Sequence, residues 1–109
     1  MARDGVLEAC RAVLLSPGRR WSLLDLSAES GLTAFQLVRA FKRWAGSPVH
    51  AWVLDLRLRL SLERVASGTD LSTVALDLGF ATHSHFTTAF GHAFGVTPSE
   101  FRGRARATV

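Results

Sequence analysis

Two stretches of the chain combine an apolar stripe with side chains suited to contacting another molecule. At about 100° per residue, one side of a helix near position 40 is apolar: Leu37, Ala40, Phe41 and Trp44. The other side carries Phe35, Val38, Arg39 and Lys42. An arginine can donate two parallel hydrogen bonds to a guanine, and apolar side chains can contact thymine methyl groups. This pattern favours a helix that reads the major groove of DNA.

A second such stretch follows 49 residues later and has a different chemistry. Its predicted inner stripe is Phe86, Ala89, Phe90 and Ala93, and its outer side holds Ser84, Thr87, Thr88 and Gly91. His83 stands at the exposed N-terminal tip. Short polar groups let a helix sit deep in a groove, with its first turn near base edges. No Lys or Arg occurs between Arg64 and Arg102, so this helix lacks a permanent cation.

A repeat places both stretches in the same local fold. Residues 26–32 are echoed 48 residues later by residues 74–80, and each copy ends in a short glycine turn, at Gly31 and Gly79. A short helix, a glycine turn and an amphipathic helix form a helix-turn-helix unit. The phenylalanines at positions 41, 80, 86, 90 and 94 are expected in the core.

The rest of the chain also predicts helices, seven in all. They cover 5–15, about 23–30, about 34–44, about 49–66, about 71–78, about 83–94 and a short stretch from Pro98. Ser22, Thr33 and Asp70 are placed to cap helices, and residues 97–100 (TPSE) form a capping box. Residues 102–106 are expected to fray as a basic tail.

Composition limits the class of protein. A chain of 109 residues with 48% hydrophobic residues fits one or two small units, and its net charge of +4 suits an acidic partner such as nucleic acid. The single cysteine, Cys10, is expected to be a small core residue of a protein in the reducing cytoplasm. No signal peptide, membrane span, phosphate loop or nucleophile motif is recognisable, which argues against an enzyme.

The motifs resemble one family in particular. Residues 79–90 (GFATHSHFTTAF) and 94–102 (FGVTPSEFR) resemble the C-terminal signature of AraC/XylS-type bacterial transcription regulators. Upstream, the matching positions are Leu32-Thr33, Leu37, Phe41-Lys42-Arg43, Gly46, Trp52 and Arg57-Leu58. The resemblance covers residues 5–102. It implies an all-α, homeodomain-like fold with helix-turn-helix subdomains at 5–46 and 68–106, joined by a linker helix at 47–67.

The resemblance also implies which residues touch DNA. Base contacts fall on Phe35, Val38 and Arg39 in the first subdomain, and on His83, Ser84, Thr87 and Thr88 in the second. Phosphate contacts fall on Thr33, Lys42, Arg43 and Thr82, and on the N-termini of the linker and last helices. Many members carry Lys or Arg at the places of Thr88 and Gly91. Because this chain does not, we expect the first subdomain to supply most of the electrostatic affinity.

The expected partner is double-stranded DNA with an asymmetric promoter or operator site, and RNA polymerase is a second candidate. The chain is expected to act as a monomer in the cytoplasm, bound to the nucleoid. It is expected to be either a naturally short regulator or, as its abrupt start favours, a domain excised from a protein with an upstream sensor or dimerisation domain. No cofactor or membrane is expected. A metal site is not expected either, because His83 and His85 lie about 200° apart on a helix and cannot readily share an ion. The alternative is a helical protein-interaction module, in which Arg39 is a solvated surface residue and Phe35 packs against its helix start.

Overall fold

A computed structural model describes residues 2–107, and all regular elements within that range are α-helices. They are α1 (Ala2–Leu15), α2 (Leu23–Ser30), α3 (Ala34–Ala45), α4 (Val49–Ala66), α5 (Leu71–Asp77), α6 (His83–Phe94) and α7 (Pro98–Ala107). The all-α prediction with seven helices is therefore confirmed. None of these helices is long and apolar enough to cross a membrane. The chain forms two compact units that divide within α4, the first ending at Leu54 and the second beginning at Asp55.

Local capping explains where the helices begin. The hydroxyls of Ser22 and Thr33 accept hydrogen bonds from the amides of the third residues of α2 and α3, and those residues' side chains accept in return from the cap amides. Thr97 and Glu100 make the same reciprocal pair at α7, and Asp70 caps α5 through the Thr73 amide. These side chains satisfy helix-end donors that have no partner within the helix. The predicted caps are confirmed.

The first unit is built on a close approach of α1 to the turn after α2. Its buried side chains come from all of its helices: Val6, Ala9, Val13, Leu26, Leu37, Ala40, Phe41 and Val53. A Cβ atom at Gly5 would lie 2.7 Å from Leu32 Cδ1 and 2.9 Å from the backbone oxygen of Ser30. Glycine is therefore needed at this position for α1 to reach the turn. Cys10 is half-buried, and this burial raises the pKa of its thiol.

Phenylalanine rings form the centre of the second unit. Phe86 lies with its ring centroid 5.1 Å from that of Phe80 and 5.7 Å from that of Phe90. Phe90 in turn packs against Phe94 at 4.7 Å and Phe101 at 5.8 Å. The core prediction is confirmed for Phe41, Phe80, Phe86 and Phe90, which are buried, whereas Phe94 is half-buried.

The last helix differs from the prediction. α7 is helical through Ala107, so the expectation of a fraying tail at residues 102–106 was wrong. Arg102 is half-buried, and its Nε donates to the Val65 carbonyl oxygen at 2.8 Å. Its Nη2 donates to the Thr69 carbonyl oxygen. Carbonyls at the end of a helix need donors from outside that helix. Arg102 gives the Val65 carbonyl a second donor beside the Gly68 amide, and it gives a donor to Thr69 just after α4.

Candidate nucleic-acid interface

The turn between α2 and α3 is held by its own side chains. The hydroxyl of Ser27 donates to the Leu32 carbonyl oxygen across the turn. The hydroxyl of Ser30 donates to the Ser27 carbonyl oxygen at 3.1 Å and accepts from the Leu32 amide at 3.2 Å. Gly31 adopts a left-handed conformation, with φ of 72°, which suits glycine. The direction in which α3 leaves α2 is thus fixed by contacts within residues 27–32.

The outer side of α3 is exposed as the sequence predicts. Phe35 is 70% exposed and Val38 is 46% exposed, and Arg39 and Lys42 are also exposed. The Arg39 guanidinium carbon lies 5.6 Å from the centroid of the Phe35 ring. This cation–π contact holds an aromatic and a cation together on one face. We call Phe35, Val38, Arg39 and Lys42 the α3 reading face, after the DNA contacts that the sequence predicts for this side of the helix.

Trp44 does not lie where the helix pattern placed it. The inner-stripe prediction was wrong for this residue, which is 51% exposed. Its ring has the guanidinium carbon of Arg43 at 5.4 Å and that of Arg3 at 5.7 Å. The negative face of an indole ring attracts cations, which favours this position at the edge of the apolar stripe. Within residues 2–107, Arg3, Arg39 and Arg43 take part in no ion pair with a carboxylate.

The corresponding face of α6 is polar and carries no Lys or Arg. His83, Ser84 and Thr88 are exposed, whereas Thr87 is half-buried. His83 Nδ1 lies 3.4 Å from the Ser72 hydroxyl of α5. His85 packs edge-on against Phe80, with centroids 5.4 Å apart. We call His83, Ser84, Thr87 and Thr88 the α6 reading face, after the base contacts predicted for them.

One inner position of α6 was also predicted wrongly. Ala93 is exposed, and the ring of Phe94 packs on Phe90 in its place. Seven residues of helix fall about 20° short of two full turns, so a stripe drifts along the surface. The large ring of Phe94, next to this stripe, then packs against the core in place of Ala93.

The two threonines predicted to contact phosphates also cap α3 and α6. The Thr33 hydroxyl oxygen accepts from the Gln36 amide at 3.2 Å, and the Thr82 hydroxyl oxygen accepts from the His85 amide at 3.0 Å. A hydroxyl that accepts one hydrogen bond keeps its own proton for a second partner. Both threonines are exposed, so capping is compatible with donation to a phosphate.

Sequence reasoning missed two arginines. Arg3 reaches the α3 side of the first unit only because α1 packs on the turn, and Arg102 reaches its carbonyls only because α7 packs beside the end of α4. Neither position has a local pattern that reveals it. The AraC-type signature does include Arg102, but the sequence alone gave it no structural role.

Comparison with known proteins agrees with this geometry. The family described as "Helix-turn-helix domain" matches residues 26–104. The chain belongs to the AraC/XylS family of bacterial transcription regulators. One AraC/XylS relative, the uncharacterized HTH-type transcriptional regulator YidL of Escherichia coli (strain K12), is 37% identical over 82 residues. The match covers 74% of this chain and 28% of that protein. The chain spans roughly a third of the length of the curated relatives it matches.

Solved structures show the same AraC-type fold. An AraC-type regulator from Chromobacterium violaceum matches with a TM-score of 0.87 and 24% identity, over 95% of this chain and 94% of that one. The DNA-binding domain of AdpA, solved in complex with a target DNA, matches with a TM-score of 0.85 and 22% identity, over 96% of each chain.

Proposed function

We propose that this chain is the DNA-binding part of an AraC-type transcription regulator. Each unit inserts one helix, α3 or α6, into a major-groove segment of an asymmetric promoter or operator site. The observation that carries the proposal is that each helix-turn-helix presents an exposed reading face, within a chain of the AraC/XylS family. The DNA-binding domain of AdpA, which has the same fold and was solved in complex with a target DNA, supports DNA binding by this chain.

The α3 reading face supplies both charge and shape. Arg39 donates two hydrogen bonds to a guanine, and Phe35 and Val38 contact thymine methyl groups or sugars. Lys42, Arg43 and the Thr33 hydroxyl bind backbone phosphates, which position the helix without reading sequence.

The α6 reading face works through uncharged hydrogen bonds. Ser84, Thr88 and the imidazole of His83 contact base edges, and Thr82 binds a phosphate. Thr87 contributes less, because it is half-buried. The N-termini of α4 and α7 add phosphate contacts, since helix N-termini attract anions.

Further features of the whole regulator follow from the family. We propose helix-turn-helix subdomains at 5–46 and 68–106 with a linker helix at 47–67, a monomeric chain in the cytoplasm, and RNA polymerase as a second partner. A sensor or dimerisation domain would lie upstream in a longer protein. The domain needs no cofactor to bind DNA.

The decisive experiment compares Arg39→Ala with Thr88→Ala on a site selected from random DNA. Loss of a bidentate arginine–guanine pair costs about 1–3 kcal/mol, whereas loss of one neutral hydrogen bond costs about 0.5–1.5 kcal/mol. Arg39→Ala should therefore weaken binding more. The matched control is Arg11→Ala, which removes an exposed charge on α1 beside Glu8. An equal or larger loss of affinity from Thr88→Ala contradicts the prediction that the first subdomain supplies most of the electrostatic affinity.

The same selection tests DNA binding against the protein-interaction alternative. A DNA-binding chain should enrich two short half-motifs about 10 base pairs apart, and its affinity should fall steeply with salt. Enrichment of a perfect palindrome would indicate a dimer. No enrichment at low salt would favour the interaction module.

A further inference from the structure

Two arginines from different helices share one tryptophan in the first unit. Arg3 of α1 and Arg43 of α3 place their guanidinium carbons 5.7 Å and 5.4 Å from the centroid of the Trp44 ring. Trp44 is half exposed, so its ring is a platform at the surface rather than part of the core. A residue from the start of the chain is thereby brought beside a helix that bears a reading face.

A shallow groove joins this platform to the α3 reading face. Its walls include Arg3, Asp4, Phe35, Arg39, Arg43 and Trp44. Three of these side chains are guanidinium groups and one is a carboxylate, so the groove has a net positive charge. Arg3 and Arg39 thus line one continuous surface.

The position of Arg3 is fixed by packing nearby. Gly5 is buried against Leu32 and the Ser30 carbonyl, which holds the first turn of α1 at the turn before α3. The Trp44 ring then limits where the Arg3 side chain can point. A guanidinium that is already oriented loses less entropy when it binds an anion.

The chemistry of the platform suits a phosphodiester. Neither Arg3 nor Arg43 pairs with a carboxylate among residues 2–107. Guanidinium groups bind phosphate oxygens through two parallel hydrogen bonds. An exposed aromatic ring with two unpaired cations over it has more to gain from a phosphate than from an apolar ligand.

We propose that Arg3, held by Trp44 beside Arg43, binds a backbone phosphate that flanks the DNA segment read by α3. The inference rests on the proposed function and extends it to α1, which lies outside the helix-turn-helix. Trp44 acts as a positioning residue for both arginines. Because the contact is to a phosphate, it strengthens binding to every sequence and leaves the preferred sequence unchanged.

The test measures affinity for the selected site against salt concentration for Arg3→Gln and for the control Arg11→Gln. Both variants remove one exposed charge from α1. Losing one phosphate contact should reduce the slope of log affinity against log salt by about 0.9. The advantage of the wild-type chain over Arg3→Gln should therefore shrink about 3.5-fold between about 50 and about 200 mM salt. Arg11→Gln should keep the wild-type slope.

Variants of Trp44 separate positioning from folding. Trp44→Leu should lower the salt slope, whereas Trp44→Phe retains an aromatic face and should keep more of the wild-type slope. Thermal melting shows whether each variant is folded.

A selection with Arg3→Gln should return the same half-motifs as the wild type.

The outcomes distinguish this inference from the proposed function. If the wild-type chain binds DNA and Arg3→Gln has the slope of Arg11→Gln, the Arg3 contact is refuted while the proposed function stands. If Arg3→Gln changes the selected motif, Arg3 reads a base and the phosphate assignment is refuted. If the wild-type chain shows no salt-dependent DNA binding, the proposed function fails and this inference fails with it.

Discussion

Replacing Arg102 by alanine should destabilise the second unit far more than replacing a neighbouring arginine. In the native structure the Arg102 guanidinium donates to the carbonyl oxygens of Val65 and Thr69. Alanine removes both donors at once. It leaves the Val65 carbonyl oxygen with only the Gly68 amide as a donor and removes the Arg102 donor from the Thr69 carbonyl oxygen, and it frees α7 from the end of α4.

The size of the effect follows from these two hydrogen bonds. A hydrogen bond to a charged group contributes about 1.5–3 kcal/mol. Because Arg102 is only half-buried, water replaces part of what is lost, and the total is expected near 2–3 kcal/mol rather than the sum of two full bonds, about 3–6 kcal/mol. In a small domain each kcal/mol lowers Tm by about 4–8 °C, so the expected decrease is about 8–24 °C.

Urea denaturation followed by circular dichroism measures this change. The matched control is Arg104→Ala, which removes the same charge from an exposed position of α7 and should change stability by less than about 0.5 kcal/mol. Arg102→Lys should recover only part of the loss, because an ammonium lacks the planar fork that reaches two carbonyls. If Arg102→Ala and Arg104→Ala lose the same stability, the stabilising role of the hydrogen bonds from Arg102 to the Val65 and Thr69 carbonyls is refuted.

Two further predictions concern stability. Gly5→Ala should destabilise the first unit by about 1–2 kcal/mol although alanine is the better helix former, because its Cβ would overlap the Ser30 carbonyl; a rise in the urea midpoint would contradict this. The Thr97 amide holds the pKa of Glu100 below its ordinary 4.5. This contribution is present above pH 4.5 and is lost as pH falls through the lower folded value. Glu100→Gln should thus be less stable than wild type at neutral pH but not in strong acid, and a gap that persists in acid would refute it.

Short-range rules were enough to predict the helices of this chain. Ser22, Thr33, Asp70 and Thr97 cap their helices through residues three positions later, so their effect is visible within four letters of sequence. The exposure of the α3 reading face also followed from helical periodicity alone, since its apolar and cationic residues lie opposite Leu37 and Phe41. The base and phosphate contacts themselves stay predictions.

Two of the errors lie where residues distant in sequence meet. Arg102 was assigned to a basic tail because its partners, Val65 and Thr69, are more than thirty positions away. Trp44 was assigned to the core because a helix pattern cannot show that Arg3 and Arg43 flank its ring. In each case an arginine contacts a residue distant in sequence, which helical periodicity does not reveal. Long cationic side chains therefore need the tertiary structure before they can be assigned.

The serine network of the first turn has a consequence for how binding preference can diverge. Ser27 and Ser30 close the turn with bonds to backbone atoms of residues 27–32, and the exposed residues Phe35, Val38 and Arg39 take no part in it. The part of the chain that aims the helix is thus chemically separate from the part that faces outward. Outward side chains can be exchanged during evolution or by design while the turn keeps its geometry, so a new target requires only a few surface substitutions and no new scaffold.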